Sequence, residues 1–191
     1  MQLVLHSYVV VTGRPGVGKT TLFWKVVRKL MDEGVVVKGF YCPEVRGQQG
    51  YRIGFKIVLL DGSGEAWLAR REGCNGPRVG RYYTCPEAET IASRVLGELG
   101  KADLIAIDEI GPMELRLAGV RRTIYRVLDS GKPGLFVVHE RLSDPYILAR
   151  LKPSGVWFHV TIENRDVLPE KVYEAVKQAV ARSKGVGELS L

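Results

Sequence analysis

Eight consecutive residues, Gly13-Arg14-Pro15-Gly16-Val17-Gly18-Lys19-Thr20, satisfy the spacing G-x-x-x-x-G-K-[ST]. The chemistry this pattern serves is the grip of a polyphosphate. Glycines let the backbone turn tightly and point successive N–H groups inward, and a helix beginning at Lys19 adds the partial positive charge of its N-terminus. Lys19 is placed to bridge β- and γ-phosphates, Thr20 to offer its hydroxyl to Mg²⁺, and Thr21 to meet the α-phosphate. A dinucleotide fingerprint is excluded, because Gly16-Val17-Gly18 runs into Lys19-Thr20-Thr21 where G-x-G-x-x-G requires a further glycine. A chance glycine-rich turn gives no reason for Lys-Thr at a helix start.

A second constellation is Leu104-Ile105-Ala106-Ile107-Asp108-Glu109, an apolar run ending in two acids. A strand of this kind can deliver a carboxylate beside the phosphate loop. Asp108 is expected in the Mg²⁺ shell, and Glu109 as the base that polarises a water for attack on the γ-phosphate. Taken without the loop, two acids closing a strand read as a solvated loop start. No H-E-x-x-H and no paired Cys/His spacing occurs among His6, His139, His159, Cys42, Cys74 and Cys85, so any metal is expected to arrive with the nucleotide. The three cysteines read as packing or surface thiols.

Four weaker candidates each carry two readings. Arg46 and Arg52 flank a turn and either supply charge to the γ-phosphate or form a salt-bridged surface. His139 follows a strand as a γ-phosphate sensor or, the favoured reading, as an exposed loop residue. Asn164 and Arg165 meet the base, with Arg165 stacked on it, or form a capping turn. Asp108-Glu109-Ile110-Gly111 fits D-x-x-G, yet N-K-x-D, which reads guanine, is missing from the sequence, so strict GTP selectivity is not expected.

Positioning these groups calls for alternating strands and helices. Tyr8 to Thr12 reads as a strand, Lys19 to Glu33 as a helix with Leu22, Phe23, Val26, Val27, Leu30 and Met31 on one face and Gly34 as its cap, and Val35 to Cys42 as a strand. Between Glu44 and Tyr83, short alternating segments with Gly- and Asp-rich turns predict inserted antiparallel hairpins. A helix over Pro86 to Leu99, with Thr84 or Cys85 near its cap, precedes strands at Leu104–Ile107, Gly134–Val138 and Val156–Ile162. Helices near Val120–Asp129, Pro145–Leu151 and Leu168–Ser183 separate or follow them. Five strands buried on both faces predict an α/β fold with a mostly parallel sheet covered by helices on each side.

With 191 residues, 46% of them apolar, one domain spanning the chain with its hairpin insertion at about 44–83 is expected. No apolar run reaches the length of a membrane span, and Met1 to Ser7 lacks a basic leader and a cleavage site, so the expectation is a soluble, cytoplasmic protein, monomeric by default. The formal charge of +7 suits polyanions. It is spread along the chain without a basic arm, so nucleic acid is not the favoured partner. Asn is confined to positions 75 and 164 while Arg and Glu are plentiful, which leans toward a heat-adapted source.

The strings Thr12 to Leu22, Gly39-Phe40-Tyr41 with Glu44-Val45-Arg46, Arg52-Ile53-Gly54-Phe55, Ile107-Asp108-Glu109-Ile110-Gly111-Pro112-Met113-Glu114-Leu115 and Glu163-Asn164-Arg165-Asp166 together resemble the THEP1-type nucleoside-triphosphatase family. The resemblance covers nearly the whole chain, and D-E-I-G-x-M-E-L is its most specific string. Cys42-Pro43 departs from the polar or acidic residues expected after Gly39-Phe40-Tyr41. The resemblance implies a RecA-like sheet and slow, Mg²⁺-dependent hydrolysis of ATP, GTP, CTP and UTP with little base preference. It places nucleotide contacts on Gly13, Arg14, Pro15, Gly16, Val17, Gly18, Lys19 and Thr20, and along Leu104, Ile105, Ala106, Ile107, Asp108, Glu109, Ile110 and Gly111. The same residues would also serve a small-molecule or nucleotide kinase, with the inserted hairpins as its acceptor site and Asp108 or Glu109 as its base, or a nucleic-acid switch gated by NTP.

Overall fold

A computed structural model describes residues 7–188; the leader reading of Met1 to His6 lies outside them. Chain order is β1 (Tyr8–Thr12), α1 (Lys19–Asp32), β2 (Val37–Tyr41), β3 (Glu44–Arg46), β4 (Arg52–Leu59), β5 (Glu65–Arg70), β6 (Arg78–Val79), β7 (Tyr82–Thr84), α2 (Glu87–Glu98), β8 (Leu104–Ile110), α3 (Ala118–Asp129), β9 (Gly134–Val138), α4 (Pro145–Ser154), β10 (Gly155–His159) and α5 (Leu168–Glu188). One sheet runs β10-β1-β9-β8-β2-β4-β5-β7-β6, with β3 on β4. Its first five strands are parallel neighbours. From β2 onward every pairing is antiparallel. This is the α/β fold with a hairpin extension that the sequence predicts.

The period-2 alternation of strands decides which side chains meet which helices. Tyr8 and Val10 of β1, Ile105 and Ile107 of β8 and Phe136 of β9 pack with Ala88, Ala92 and Val95 of α2 and with Val120, Ile124 and Val127 of α3. Their neighbours Val9, Val11, Leu104, Ala106, Leu135 and Val137 face the opposite layer, against Leu22, Phe23 and Val26 of α1 and Val172 and Val176 of α5. Each fully buried side chain of this size stabilises by about 1.5–3 kcal/mol, so the two-sided core fixes the strands that carry the functional loops.

Local signals explain several boundaries. Gly34, at φ +84°, ends α1: its N–H donates to Met31 O, and that of Val35 to Leu30 O, as in a Schellman cap. Asp144 caps α4 by accepting from Ile147 N at 3.1 Å. Gly39 pairs with Ala106 so closely that a Cβ would sit 1.8 Å from the Ala106 carbonyl oxygen, so no other residue fits there without parting β2 from β8.

Some expectations are corrected. Thr84 does not cap α2, since its hydroxyl donates to Pro77 O and Pro86 is the cap residue. The last sheet strand stops at His159 rather than Ile162, because Asn164 accepts from Thr161 N and turns the chain away. Cys74 and Cys85 are not free thiols: they form a disulfide, with Cα atoms 5.2 Å apart. Their pairing arises where the loop ahead of β6 folds back on the start of α2, a tertiary meeting that a spacing of 11 residues cannot announce. Cys42 is free. No helix among the described residues is long and apolar enough to cross a membrane.

Candidate active site

The loop between β1 and α1 adopts left-handed glycine conformations at Gly16 (φ +80°) and Gly18 (φ +110°), which bend it around its own amides. Helix α1 begins with no side-chain cap and no acidic residue in its first turn, so its exposed N–H groups and dipole remain available to an anion. Lys19 is buried, and its ammonium donates to Gly13 O at 2.8 Å and Arg14 O at 3.1 Å across the loop mouth. Thr20 and Thr21 are exposed on the first turn.

Strand β8 brings two carboxylates to this mouth. The ladder with β9 pairs Asp108 with Val137 and Ile110 with Val138, leaving Glu109 as the extra residue of a bulge, a device that re-aims a side chain. Asp108 is buried and takes a hydrogen bond from Thr20; burial raises its pKa to about 6, and the charge of Glu109 adds to the effect, against the pull of Thr20 and Lys19. Glu109 Oε2 lies 3.9 Å from Lys19 Nζ, and its pKa is raised by burial and pulled back by Lys19. Thus β8 runs to Ile110, and both acids stand within the strand rather than just beyond it.

Between these two strands lies β9, which sends His139 into the same cleft. The ring is half-buried, its Nδ1 accepts from Arg141 N at 3.1 Å, and burial followed by the charge of Lys19 lowers its pKa. The expectation of an exposed loop histidine is therefore corrected, for His139 lines a cleft of about 730 Å³ with Lys19, Thr20, Asp108 and Glu109.

The NTPase family model matches residues 8–173. The chain belongs to this family. It is 44% identical over 171 residues to the nucleoside-triphosphatase THEP1 of Methanopyrus kandleri, covering 88% of this chain and 94% of that protein. It is 40% identical to the protein of the same description from Sulfurisphaera tokodaii, covering 94% of this chain and 99% of that one. The crystal structure of THEP1 from the hyperthermophile Aquifex aeolicus superimposes with a TM-score of 0.73 at 30% identity, over 88% of this chain and 98% of that one.

Of the weaker candidates, Arg46 and Arg52 both pair with Glu44, the salt-bridged reading, although Arg52 also lines the cleft. Asn164 serves its own turn, accepting from Thr161 N and donating to His159 O, both at hydrogen-bond distance. Arg165 runs past the loop: a Cβ on Gly18 would lie 3.7 Å from its Cδ. One residue escaped sequence reasoning. Glu114 is buried in the cleft wall, and burial pushes its carboxyl up to about 8, a neutral acid beside Gly111. Its place inside D-E-I-G-x-M-E-L was the available signal, but its burial is a property of the folded cleft wall, which it shares with Cys42.

Proposed function

We propose that the whole chain works as one P-loop unit that hydrolyses the γ-phosphate of nucleoside triphosphates, accepting ATP, GTP, CTP and UTP with low base selectivity and requiring Mg²⁺. The observation that carries the reading is the meeting of Lys19, Thr20, Asp108 and Glu109 at an uncapped helix N-terminus. The backbone N–H groups between Gly13 and Thr20, Pro15 having none, and the Lys19 ammonium hold the phosphates.

Thr20 and Asp108 offer a hydroxyl and a carboxylate, an all-oxygen pair that suits Mg²⁺, which keeps several waters and shares phosphate oxygens. When bound, that ion neutralises charge on the β- and γ-phosphate oxygens. Glu109 orients the attacking water and takes its proton as the new P–O bond forms and the bond to the β–γ bridging oxygen breaks. Lys19 steadies the negative charge developing on the γ-phosphoryl group. Low base selectivity follows from recognition through backbone amides and from the alkyl stem of Arg165, while the amide of Asn164 is engaged in its own loop.

Phosphate release from ATP, GTP, CTP and UTP with Mg²⁺ tests this reading. All four triphosphates should turn over within about tenfold of one another, a spread of about 1.4 kcal/mol, and Lys19→Ala should abolish release. Turnover that survives in Lys19→Ala, or release from one triphosphate alone, would contradict the proposal.

A further inference from the structure

The cleft is lined by more side chains than the phosphate grip uses. Its inner part is the phosphate loop with Lys19, Asp108 and Glu109; toward the antiparallel extension it is lined by Pro43, Phe55 and Val79, and Met113 also lines it. The loop that carries Arg165 does not line it. Hydrolysis by the groups named above uses none of those four outer side chains.

The outer wall has its own chemistry. Phe55 is held edge-on by Tyr82, with ring centroids 5.3 Å apart at 76°, so one ring is fixed in place at the wall. The Arg52 guanidinium lies 5.3 Å from the centre of the Phe55 ring. Arg52, which lines the cleft, and Arg46, which lies beside it and also donates to Gly50 O, both pair with the single carboxylate of Glu44, which leaves this exposed rim one positive charge in surplus. Deeper in, Lys19 and the phosphate loop are engaged by the triphosphate, and Asp108 and Glu109 add two carboxylates there, so a second anionic group is left to the rim. A flat apolar wall below a cationic rim is complementary to a planar ring that carries an anionic group.

We propose that this outer compartment is a binding subsite for a second small molecule, an organic phosphate bearing a planar ring, of the nucleoside monophosphate class. The ring lies on the Phe55 wall and the phosphate meets the Arg46–Arg52 rim. The inference rests on the reading that the inner compartment holds the triphosphate.

Calorimetric titration of AMP, GMP, CMP and UMP into protein saturated with Mg²⁺ and a triphosphate analogue that cannot be cleaved between its β- and γ-phosphates tests it. At least one monophosphate should bind saturably to the loaded protein. Phe55→Leu and Arg52→Gln should each weaken that binding by about tenfold or more, while phosphate release from ATP alone stays within about twofold of wild type. Adenosine, which lacks the phosphate, and glycerol 3-phosphate, which lacks the ring, should both bind more weakly than the best monophosphate. The inference is overturned if the loaded wild type takes up no monophosphate, if the analogue competes it away, if neither substitution changes its affinity, or if adenosine or glycerol 3-phosphate binds as tightly. A wild type that releases no phosphate from any triphosphate sinks the hydrolysis reading instead, and binding to the loaded protein is scored separately.

Discussion

Burial raises the pKa of Glu109, and the Lys19 ammonium at 3.9 Å pulls it back, so the carboxylate is kept basic without being made inert. Glu109→Gln keeps the shape and hydrogen-bonding reach while removing the proton acceptor. Steady-state assays should show turnover lower by about 10² to 10⁴, with triphosphate affinity nearly unchanged; a variant within tenfold of wild type would remove Glu109 from the role of base. Glu114 makes a different prediction. In the unfolded chain its carboxyl releases a proton near the ordinary 4.5, whereas the folded protein retains it to about 8. The stability this gives is full below the lower value and is lost as pH rises through the upper one. Glu114→Gln cannot titrate, so the difference in Tm between the two proteins should change from pH 5 to pH 8 in favour of the variant. An equal difference at both values would show that Glu114 is ionised in the fold. The meeting of residues 13–20 with 108–109 was legible because each group is marked by spacing along one loop or one strand. The burial of Glu114, and that of His139, which the sequence offered as a sensor or an exposed loop residue, were not, because burial is set by the fold and not by spacing along the chain.

Among elements, the parallel strands were readable as apolar runs: β1, β8 and β9 are buried on both faces, which removes the polar alternation a half-exposed strand shows, whereas β10, at the sheet edge, has no buried residue although the sequence reading expected burial on both faces. The extension was readable through its turns, but not its register: Gly-rich punctuation marks where the chain reverses and says little about which residues pair. The bulge at Glu109 was invisible for the same reason, as it exists in the ladder between β8 and β9. The Cys74–Cys85 bond ties the segment before β6 to the start of α2, so it steadies the strand whose Val79 lines the cleft. Closing a loop of this size restricts the unfolded chain by about 3 kcal/mol. A Cys74→Ser, Cys85→Ser double variant should therefore melt several degrees lower under non-reducing conditions, and wild type treated with a strong reductant should approach it. Identical melting of all three would show that the bond carries no stability.

At the scale of the molecule, the sheet order places β9 and β10 on either side of β1, so the strand that launches the phosphate loop is secured by residues 134–159. Strand order cannot be read from apolar runs alone, because an apolar run says that a strand is buried and not which strands are its neighbours. A fragment comprising residues 1–133 contains every residue of the phosphate loop and both acids of β8, yet it leaves β1 without either neighbour. Far-UV circular dichroism and calorimetry should find that fragment without a cooperative melt and without triphosphate affinity; a fragment that melts sharply and binds would mean that the inner sheet closes in another order.

The placement of β1 between two late strands also reaches into the cell. A nascent chain carries Val9, Val10 and Val11 out of the ribosome long before either flanking strand has been synthesised, so this apolar segment waits unpaired through most of translation. Slow synthesis or crowded expression lengthens that wait, and chaperones that shield short hydrophobic stretches are the natural guardians of this stage.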